Sequence, residues 1–268
     1  MSLQPNWSQQ SVTGAELYLQ EPGDTRQIAA SDIAQGQIGD CFFLAALGEI
    51  ALKDPAFILH EMIKNDGAGN YTVALYDNAD GSKIQPVDSH SGNNFLGDYE
   101  GYHFDGSLAS SHFELVNAIV NQNQFSPDAV NNYNTSDIIN GVKEIWPQVV
   151  EQAYMANLGV STVDGGGDYS AMEALTGQTA HWAFIDELSL HSLANLNKSG
   201  ALVTFDTPAT GTLPFNLQEN HAYMFAGLEA KDHHVYVELI NPWGTTQPDL
   251  IPFKQLAGAL PQVEVGRI

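Results

Sequence analysis

Residues 39–52 have the sequence GDCFFLAALGEIAL, and this stretch decides how the chain folds. Asp40 is a residue type that favours the position just before a helix. The apolar run that follows is interrupted only by Gly48 and Glu49. A helix that is apolar on nearly every side is buried, because no face of it prefers water. The sequence therefore predicts a buried central helix with Cys41 in its first turn.

The rest of the chain divides near Gly177 into a mainly helical half and a mainly antiparallel β half. The apolar pattern predicts helices over residues 56–64, 112–121, 147–158 and 184–198, and a short one through Met172 and Leu175. A β-rich run at 71–76 is predicted to form a hairpin with 84–87. Further strands are predicted at 201–205, 222–228, 235–240 and 263–267. Residues 88–110 are polar and glycine-rich and are predicted to be loop.

The composition limits the partners that the chain can bind. It has 268 residues, with 9 Lys and Arg against 32 Asp and Glu, for a formal charge of −23. Nucleic acid and anionic membrane surfaces need basic side chains, so neither is an expected partner. A cation or a basic peptide stays open as a partner. With a single cysteine, the chain can form neither an internal disulfide nor a multi-cysteine zinc site.

The sequence also lacks the features that direct a chain into or across a membrane. No run approaches the ~18 consecutive apolar residues typical of a spanning helix. The first residues have no basic patch followed by an apolar segment, so no signal peptide is predicted. These features favour a cytoplasmic location.

Cys41 is either a small buried side chain or a nucleophile. The first-turn amides of a helix carry a partial positive charge and favour a thiolate there. Burial and the neighbouring Asp40 favour the neutral thiol. A cationic group beside Cys41 would be needed for the thiolate to predominate.

A second group of polar residues lies on a predicted hairpin in the β half. His221 and Asn241 lie ten residues before and after Lys231, which is placed at the middle of the turn. In that register the two residues are opposite each other and their side chains emerge on the same face. An asparagine oxygen that accepts from a histidine ring N–H fixes the tautomer and orientation of the imidazole. A purely structural polar pair is the alternative.

Three separate segments resemble the signatures of the calpain family of cysteine proteases. Residues 35–46, QGQIGDCFFLAA, are similar to the calpain motif around the active-site cysteine. Residues 221–223, HAY, and 241–244, NPWG, are similar to the other two signatures and follow in the same order. Residues 147–154 and 173–177 add further similarity. The resemblance spans most of a calpain protease core.

The resemblance implies a role for each matched position. Cys41 would be the nucleophile, His221 the base that becomes an acid, and Asn241 the residue that orients His221. Gln35 would present its side-chain amide to the oxyanion, together with the backbone N–H of Cys41. Trp243 would shield the bond between His221 and Asn241, and an ordinary core tryptophan is the alternative.

The resemblance also implies a calcium site in the N-terminal half. Asp32 and Glu151 match acidic positions of that site, and carboxylates are suitable ligands for calcium. A solvated aspartate and a glutamate on a helix surface are the alternative interpretation. In the C-terminal half the acidic loop that follows the third signature is replaced by TTQPD at 245–249, so no second calcium site is expected.

These observations lead to an α+β, papain-like fold. A helical lobe, 1–177, would carry Cys41, and an antiparallel β lobe, 178–268, would carry His221 and Asn241 across a cleft. The predicted function is a cysteine endopeptidase that acts as a monomer on protein or peptide substrates, with calcium as its one candidate cofactor. A transglutaminase-like acyl transferase and a catalytically silent peptide-binding module are the alternatives. Acyl transferases of that kind usually have aspartate where Asn241 stands.

Overall fold

The structure is a computed structural model, and it describes residues 14–20, 26–36, 38–86, 113–122, 138–139 and 142–268. Its α-helices are α1 (Cys41–Lys53), α2 (Pro55–Phe57), α3 (Trp146–Leu158), α4 (Asp168–Thr176), α5 (Leu190–Ser199) and α6 (Leu256–Ala259). A π turn, Ile58–Met62, continues α2. Short 3₁₀ turns lie at Ala30–Asp32, Ile185–Glu187 and Phe253–Gln255. Among the helices of these ranges, none is both long and apolar enough to cross a membrane.

The strands of the described residues form three sheets. They are β1 (Gly14–Glu16), β2 (Ile63–Gly67), β3 (Asn70–Asn78), β4 (Phe113–Asn121), β5 (Ile138–Ile139), β6 (Val142–Glu144), β7 (His181–Phe184), β8 (Leu202–Asp206), β9 (Ala222–Lys231), β10 (His234–Ile240), β11 (Ile251–Pro252) and β12 (Gln262–Gly266). The largest sheet is antiparallel, in the order β11-β10-β9-β8-β12-β7. The order β2-β3-β4 forms a second antiparallel sheet. In the third, β1-β6-β5, the pair β1 and β6 is parallel. Helices and mainly antiparallel sheets together confirm the α+β class.

The predicted central helix is confirmed as α1. Every residue from Phe42 to Ala51 is buried, as the apolar pattern requires. Helix α1 lies directly against β9, and a Cβ atom at Gly48 would come within 2.2 Å of the Met224 sulfur. Glycine at this position allows the helix and the strand to approach closely, which outweighs its cost in helix propensity.

Within the part of the chain that the structure describes, the buried hydrophobic residues form two clusters. The first surrounds α1, α3 and α4 and draws its residues from 17–180, with Leu202, Ala222 and Met224 added from the large sheet. The second lies between the other face of that sheet and α5, with all of its residues from 183–265. The large sheet therefore has both faces covered, by α1 and α4 on one side and by α5 on the other.

The sequence located α3, α4 and the strands of the large sheet. Both helices end as predicted at a glycine in the left-handed region, Gly159 with φ +73° and Gly177 with φ +66°. A carbon side chain is strained in that region and glycine is not. Strands β8, β9, β10 and β12 lie within a few residues of their predicted positions.

Three predictions for the N-terminal half were wrong. Residues 112–121 are not a helix: from Phe113 they form β4, which pairs along its whole length with β3. Strand β3 pairs with β2 and β4 rather than with 84–87, and residues 84–86 are not in a strand. The helix predicted to reach Lys64 ends at Met62, because β2 begins at Ile63. These segments are strands because they pair with β3, and such long-range pairing cannot be predicted from local hydrophobic periodicity.

Two further predictions need comment. The helix predicted over 184–198 begins only at Leu190, since His181–Phe184 forms the edge strand β7. The loop predicted for residues 88–110 lies outside the described residues. The N-terminal half is therefore mixed helix and strand rather than mainly helical.

Candidate active site

Cys41 is the first residue of α1 and lies where the helix meets the large sheet. Its side chain is partly exposed and its thiol is free. The backbone of Asp40 starts the helix by accepting hydrogen bonds from Phe43 N (2.9 Å) and Leu44 N (3.0 Å). The Asp40 side chain makes no capping hydrogen bond to the helix. That carboxyl is buried instead, so Asp40 has the predicted position but not the predicted capping contact.

The surroundings of Cys41 favour the neutral thiol. Burial raises the pKa of Cys41 to about 12, against the opposing effect of a hydrogen bond from the backbone of Ala222. The nearby carboxyls of Asp168, Asp206 and Asp40 raise it further. Three acids around one thiol are the opposite of the electropositive surroundings that activate a cysteine.

The hairpin that carries His221 and Asn241 has a different register from the predicted one. Its turn is Asp232-His233, both with positive φ, and Lys231 pairs with His234. That offset alone would place Asn241 opposite Met224, on the other face from His221. A β-bulge shifts the register between Glu238 and Leu239, so that Ile240 pairs with Met224. Asn241 then follows opposite Tyr223, two residues from His221 and on the same face.

The predicted contact between the two side chains is present. His221 Nε2 lies 2.8 Å from Asn241 Oδ1. The Asn241 amide is oriented by its nitrogen, which donates to Thr246 O at 3.1 Å. Because Oδ1 can only accept, His221 Nε2 must carry the hydrogen. In the neutral ring, the basic nitrogen is therefore Nδ1.

His221 is held from several sides. Its backbone N–H donates to Thr207 Oγ1 at 2.9 Å, and its carbonyl accepts from the same hydroxyl at 3.0 Å. The ring packs edge-on against Tyr223, with centroids 4.9 Å apart, and at a tilt against Trp243, 4.7 Å away. Trp243 lies over the histidine that is bonded to Asn241, the position predicted for it. Burial lowers the pKa of His221 to about 4, although the bond to Asn241 acts in the other direction.

Asn241 is also held on its backbone side. Its N–H donates to Gln247 Oε1 at 2.9 Å. Its Oδ1 accepts a second bond, from Trp243 N, at 2.9 Å. The loop after β10 therefore fixes both the backbone and the amide of Asn241, and the residue is fully buried.

Gln35 connects the segment before α1 to the loop after Asn241. Its backbone N–H donates to Pro242 O at 2.7 Å. The same loop lies so close that a Cβ atom on Gly244 would be 3.1 Å from the Ala34 Cβ. The Gln35 side-chain nitrogen donates to Ile38 O at 2.7 Å. One hydrogen of the amide is thus committed to the backbone, and the Gln35 side chain also lies beside the buried Asp40 carboxyl, whose pKa it lowers by hydrogen bonding.

The structure brings Cys41 beside β9 without joining it to His221. Among the described residues, no hydrogen bond links the Cys41 sulfur to the imidazole, although the adjacent Ala222 backbone contacts the sulfur. With the pKa of the thiol raised and that of the imidazole lowered, both groups are neutral near pH 7. In the structure, Cys41 and His221 therefore do not form a thiolate–imidazolium pair. Catalytic contacts of this kind often tighten only when substrate binds.

Asp32 and Glu151, the predicted calcium ligands, are both buried and line one small cavity together with Glu144 and Gln148. Asp32 Oδ2 accepts from Ala29 N at 2.7 Å and from Trp146 Nε1 at 3.0 Å. Glu151 lies beside Asp40 and helps to counter the rise in the pKa of that residue, which burial takes to about 6. The cavity holds acidic oxygens, and part of their bonding capacity is used by the protein.

Comparison with known proteins agrees with the resemblance. Residues 17–89 match the family described as calpain family cysteine protease. Calpain-9 of Rattus norvegicus is 25% identical over 231 residues, covering 81% of this chain and 29% of that protein. Calpain-13 of Rattus norvegicus is 26% identical over 235 residues, with the same coverage of 81% and 29%. The chain is therefore similar to calpains over most of its length, and the family match includes Cys41. The chain spans about 29% of the length of these curated relatives.

Sequence pattern alone did not identify three residues that support the candidate site. Thr207 and Gln247 hold the backbones of His221 and Asn241, and they lie in loops where no pattern distinguishes them. Glu49 is fully buried and accepts from Val203 N (2.9 Å) and Phe225 N (2.6 Å), which ties α1 to two strands of the large sheet. The sequence does contain a signal for Glu49, because a single acid in an otherwise apolar, buried helix needs a hydrogen-bond partner.

Proposed function

We propose that this chain is a calpain-like cysteine endopeptidase that cleaves peptide bonds in protein or peptide substrates. The observation that carries the proposal is the bond between His221 and Asn241, which leaves Nδ1 as the basic nitrogen beside the strand that contacts Cys41. This is the arrangement that a thiol protease needs, with a nucleophile, a base and a residue that orients the base.

The chemistry uses the proposed residues in two stages. The Cys41 proton passes to His221 Nδ1, and the thiolate attacks the peptide carbonyl carbon. The C–N bond then breaks as the imidazolium gives its proton to the leaving amine, which leaves a thioester on Cys41. In the second stage His221 takes a proton from water, whose oxygen attacks the thioester and releases the carboxylic acid and the thiol.

The oxyanion is proposed to be stabilised by two N–H donors. One is the backbone N–H of Cys41, which has no intrahelical partner because it lies in the first turn of α1. The other is the side-chain amide of Gln35, which in the structure donates to Ile38 O and lies beside Asp40. Loss of one such donor typically costs about 10² to 10³ in rate.

The two-lobe, papain-like arrangement is part of the proposal, with lobes 1–177 and 178–268. The two hydrophobic clusters support it, since their residues divide close to that boundary apart from three from the large sheet. The bond from Gln35 N to Pro242 O supports a cleft whose two sides meet at the base of the site. We further propose that the enzyme works as a monomer.

Calcium is proposed as a ligand of the cavity at Asp32 and Glu151. Its support is the burial of two acids in one cavity that Glu144 and Gln148 also line, because carboxylates suit this cation. Binding here would act on the region just before Cys41.

A silent peptide-binding module is the second candidate, and one observation favours it. The described site has a neutral thiol with no hydrogen bond to the imidazole, which is also what a non-catalytic cleft would show. The two candidates differ in turnover, whereas both predict peptide binding.

The test is cleavage of a denatured protein substrate by the full chain, with calcium titrated from chelator-treated conditions. The endopeptidase predicts multiple cuts that disappear in Cys41→Ala while its circular dichroism stays unchanged. Full cleavage by Cys41→Ala, or none by the parent chain at any calcium level, would refute it. A primary amine added in parallel distinguishes hydrolysis from acyl transfer, since only a transferase incorporates the amine.

A further inference from the structure

Three acidic side chains from different elements converge beneath the candidate site. Asp168 is the first residue of α4, Asp206 the last of β8, and Glu264 lies in the middle of β12. One carboxylate oxygen from each lies within 4.8 Å of the others. Asp168 and Glu264 are fully buried and Asp206 is 5% exposed. We call these three residues the acidic triad.

The register of the large sheet explains how the triad is assembled. Gln262 pairs with Asp206 and Glu264 pairs with Thr204, so these four polar side chains share one face of β8 and β12. That face is covered by α4, which brings Asp168 onto it. The N–H of Tyr169 donates to Glu264, so the first turn of α4 is bound to the triad.

Unsatisfied oxygens at the same place point to a missing ligand. Neither carboxylate oxygen of Asp168 has a hydrogen-bond partner within the described part of the chain. Thr204 Oγ1, which is not acidic, is also fully buried and makes no hydrogen bond of normal geometry, although it lies close enough to Asp168 to lower the pKa of that carboxyl. Buried polar atoms are nearly always bonded, so each such atom indicates an unseen water or ion.

From these positions we infer that Asp168, Asp206 and Glu264, with the Thr204 hydroxyl, bind a hard divalent cation of the size of calcium. Calcium takes oxygen ligands at about 2.3–2.6 Å, so two of its ligands lie up to about 5 Å apart. The spacing in the triad fits that limit. The smaller Mg²⁺ needs bonds of about 2.1 Å and is reluctant to lose its water, so it fits a closed, protein-lined site less well.

The energetics of burial agree with this inference. Burial raises the pKa of both Asp168 and Glu264, and the neighbouring Asp206 raises it further. A cation at their centre would replace this mutual repulsion with attraction. The rival occupant is a proton shared among the three carboxyls.

The site is separate from the cavity at Asp32 and Glu151, and it would hold α4 to the large sheet. Because Asp168 belongs to α4, against the first hydrophobic cluster, and Asp206 and Glu264 belong to the sheet, the cation would bridge the two sides of the candidate site.

The test is calorimetric titration of calcium chloride into the full chain carrying Cys41→Ala, so that self-cleavage cannot interfere. The inference predicts a saturable site whose affinity falls at least tenfold in Glu264→Gln and in Asp168→Asn. Calcium is also proposed for the cavity at Asp32 and Glu151, so the comparison is repeated in Asp32→Asn, where binding at that cavity is lost and binding at the acidic triad should remain. Magnesium chloride should bind more weakly than calcium chloride.

Several outcomes would overturn the inference. The first is that the parent binds no calcium. The second is that all calcium binding is lost in Asp32→Asn but kept in Glu264→Gln. The third is that all variants bind calcium with equal affinity. If the acidic variants do not fold, Thr204→Val serves in their place, since it removes one oxygen and no charge. A several-fold loss of affinity in Thr204→Val supports the site, and unchanged affinity contradicts it. None of these readouts depends on peptide cleavage, so the proposed function can fail without affecting them.

Discussion

The two sides of the candidate site differ in how well the protein orients and ionises their side chains. On the histidine side, His221 and Asn241 have their backbones and side chains bonded to Thr207, Trp243, Thr246 and Gln247. On the cysteine side, the thiol lies at a helix N-terminus but is surrounded by acids, and its pKa is raised to about 12. The proposed base, His221, is therefore oriented in advance, whereas the proposed nucleophile, Cys41, would need a change in its charge environment to ionise. Activation is expected to act on the cysteine side.

The sharpest test of this difference is the reactivity of Cys41. The pKa rises from an ordinary 9.0 to about 12, so the thiolate fraction at neutral pH falls roughly 10³-fold. Iodoacetamide should therefore label the folded chain far more slowly than the unfolded chain, with the rate climbing only at strongly alkaline pH. Stopped labelling followed by mass spectrometry measures this. Rapid labelling at neutral pH without any ligand would show that the cysteine side is already activated.

Replacing Asn241 tests the histidine side. Asn241→Ala removes the acceptor that fixes the imidazole, and kcat/KM for peptide cleavage should fall by roughly 10² or more, within the usual range for acid–base catalysis. The matched variant Asn241→Asp keeps an oxygen acceptor and adds a negative charge, which raises the pKa of His221. It should retain more activity than the alanine variant, with the acidic limb of the pH profile moved upward. Equal activity in all three proteins would contradict the orienting role.

A smaller effect is expected from Gln247, which touches only the backbone of Asn241. Gln247→Ala should reduce kcat by about tenfold, since small misplacements of catalytic groups cost up to about 10². Gln255→Ala, at an exposed glutamine, is the control and should leave kcat unchanged. If Gln255→Ala loses as much kcat as Gln247→Ala, Gln247 has no specific role in positioning Asn241.

Glu49 connects the two sides and affects stability rather than chemistry. Both of its oxygens accept backbone hydrogen bonds, so near pH 4.5, where its contribution is still present, Glu49→Gln should lower the free energy of unfolding by about 1–3 kcal/mol. The exposed Glu187→Gln is the control. Urea denaturation measures both, and equal stabilities would show that these bonds contribute nothing.

Glu49 also predicts a pH dependence. Burial raises its pKa from 4.5 to about 8, so the folded state binds the proton more tightly than the unfolded state. This contribution is fully present below pH 4.5 and is lost as pH rises through about 8. The parent should therefore lose this share of its stability over that window, and Glu49→Gln should not.

The sequence predicted the parts of the site that depend on local pattern. The apolar run after Asp40 located α1, and the spacing of His221 and Asn241 located their contact. The predicted contact is present although the predicted register is wrong. The turn lies after Lys231 rather than at it, which alone would place Asn241 on the opposite face from His221. The bulge in β9 shifts the register by one residue and returns Asn241 to the same face. Neither irregularity leaves a clear mark in the sequence.

Contacts between distant segments were the ones that the sequence could not supply. The acidic triad joins residues from positions 168, 206 and 264, which share no spacing or motif. Strand β4 was mistaken for a helix because only its pairing with β3 decides its conformation. The sequence likewise did not show that Asp168 and Asp206 lie near Cys41; only Asp40, the preceding residue, could be placed there.

The central claim is that Cys41 forms a covalent acyl intermediate with peptide substrates. Rapid acid quenching during cleavage of a peptide ester, followed by intact-mass analysis, measures that intermediate directly. The account predicts an added mass equal to the acyl half of the substrate, located on Cys41 and absent from Cys41→Ala. Product formation with no adduct on Cys41, or the same adduct on the alanine variant, would contradict it.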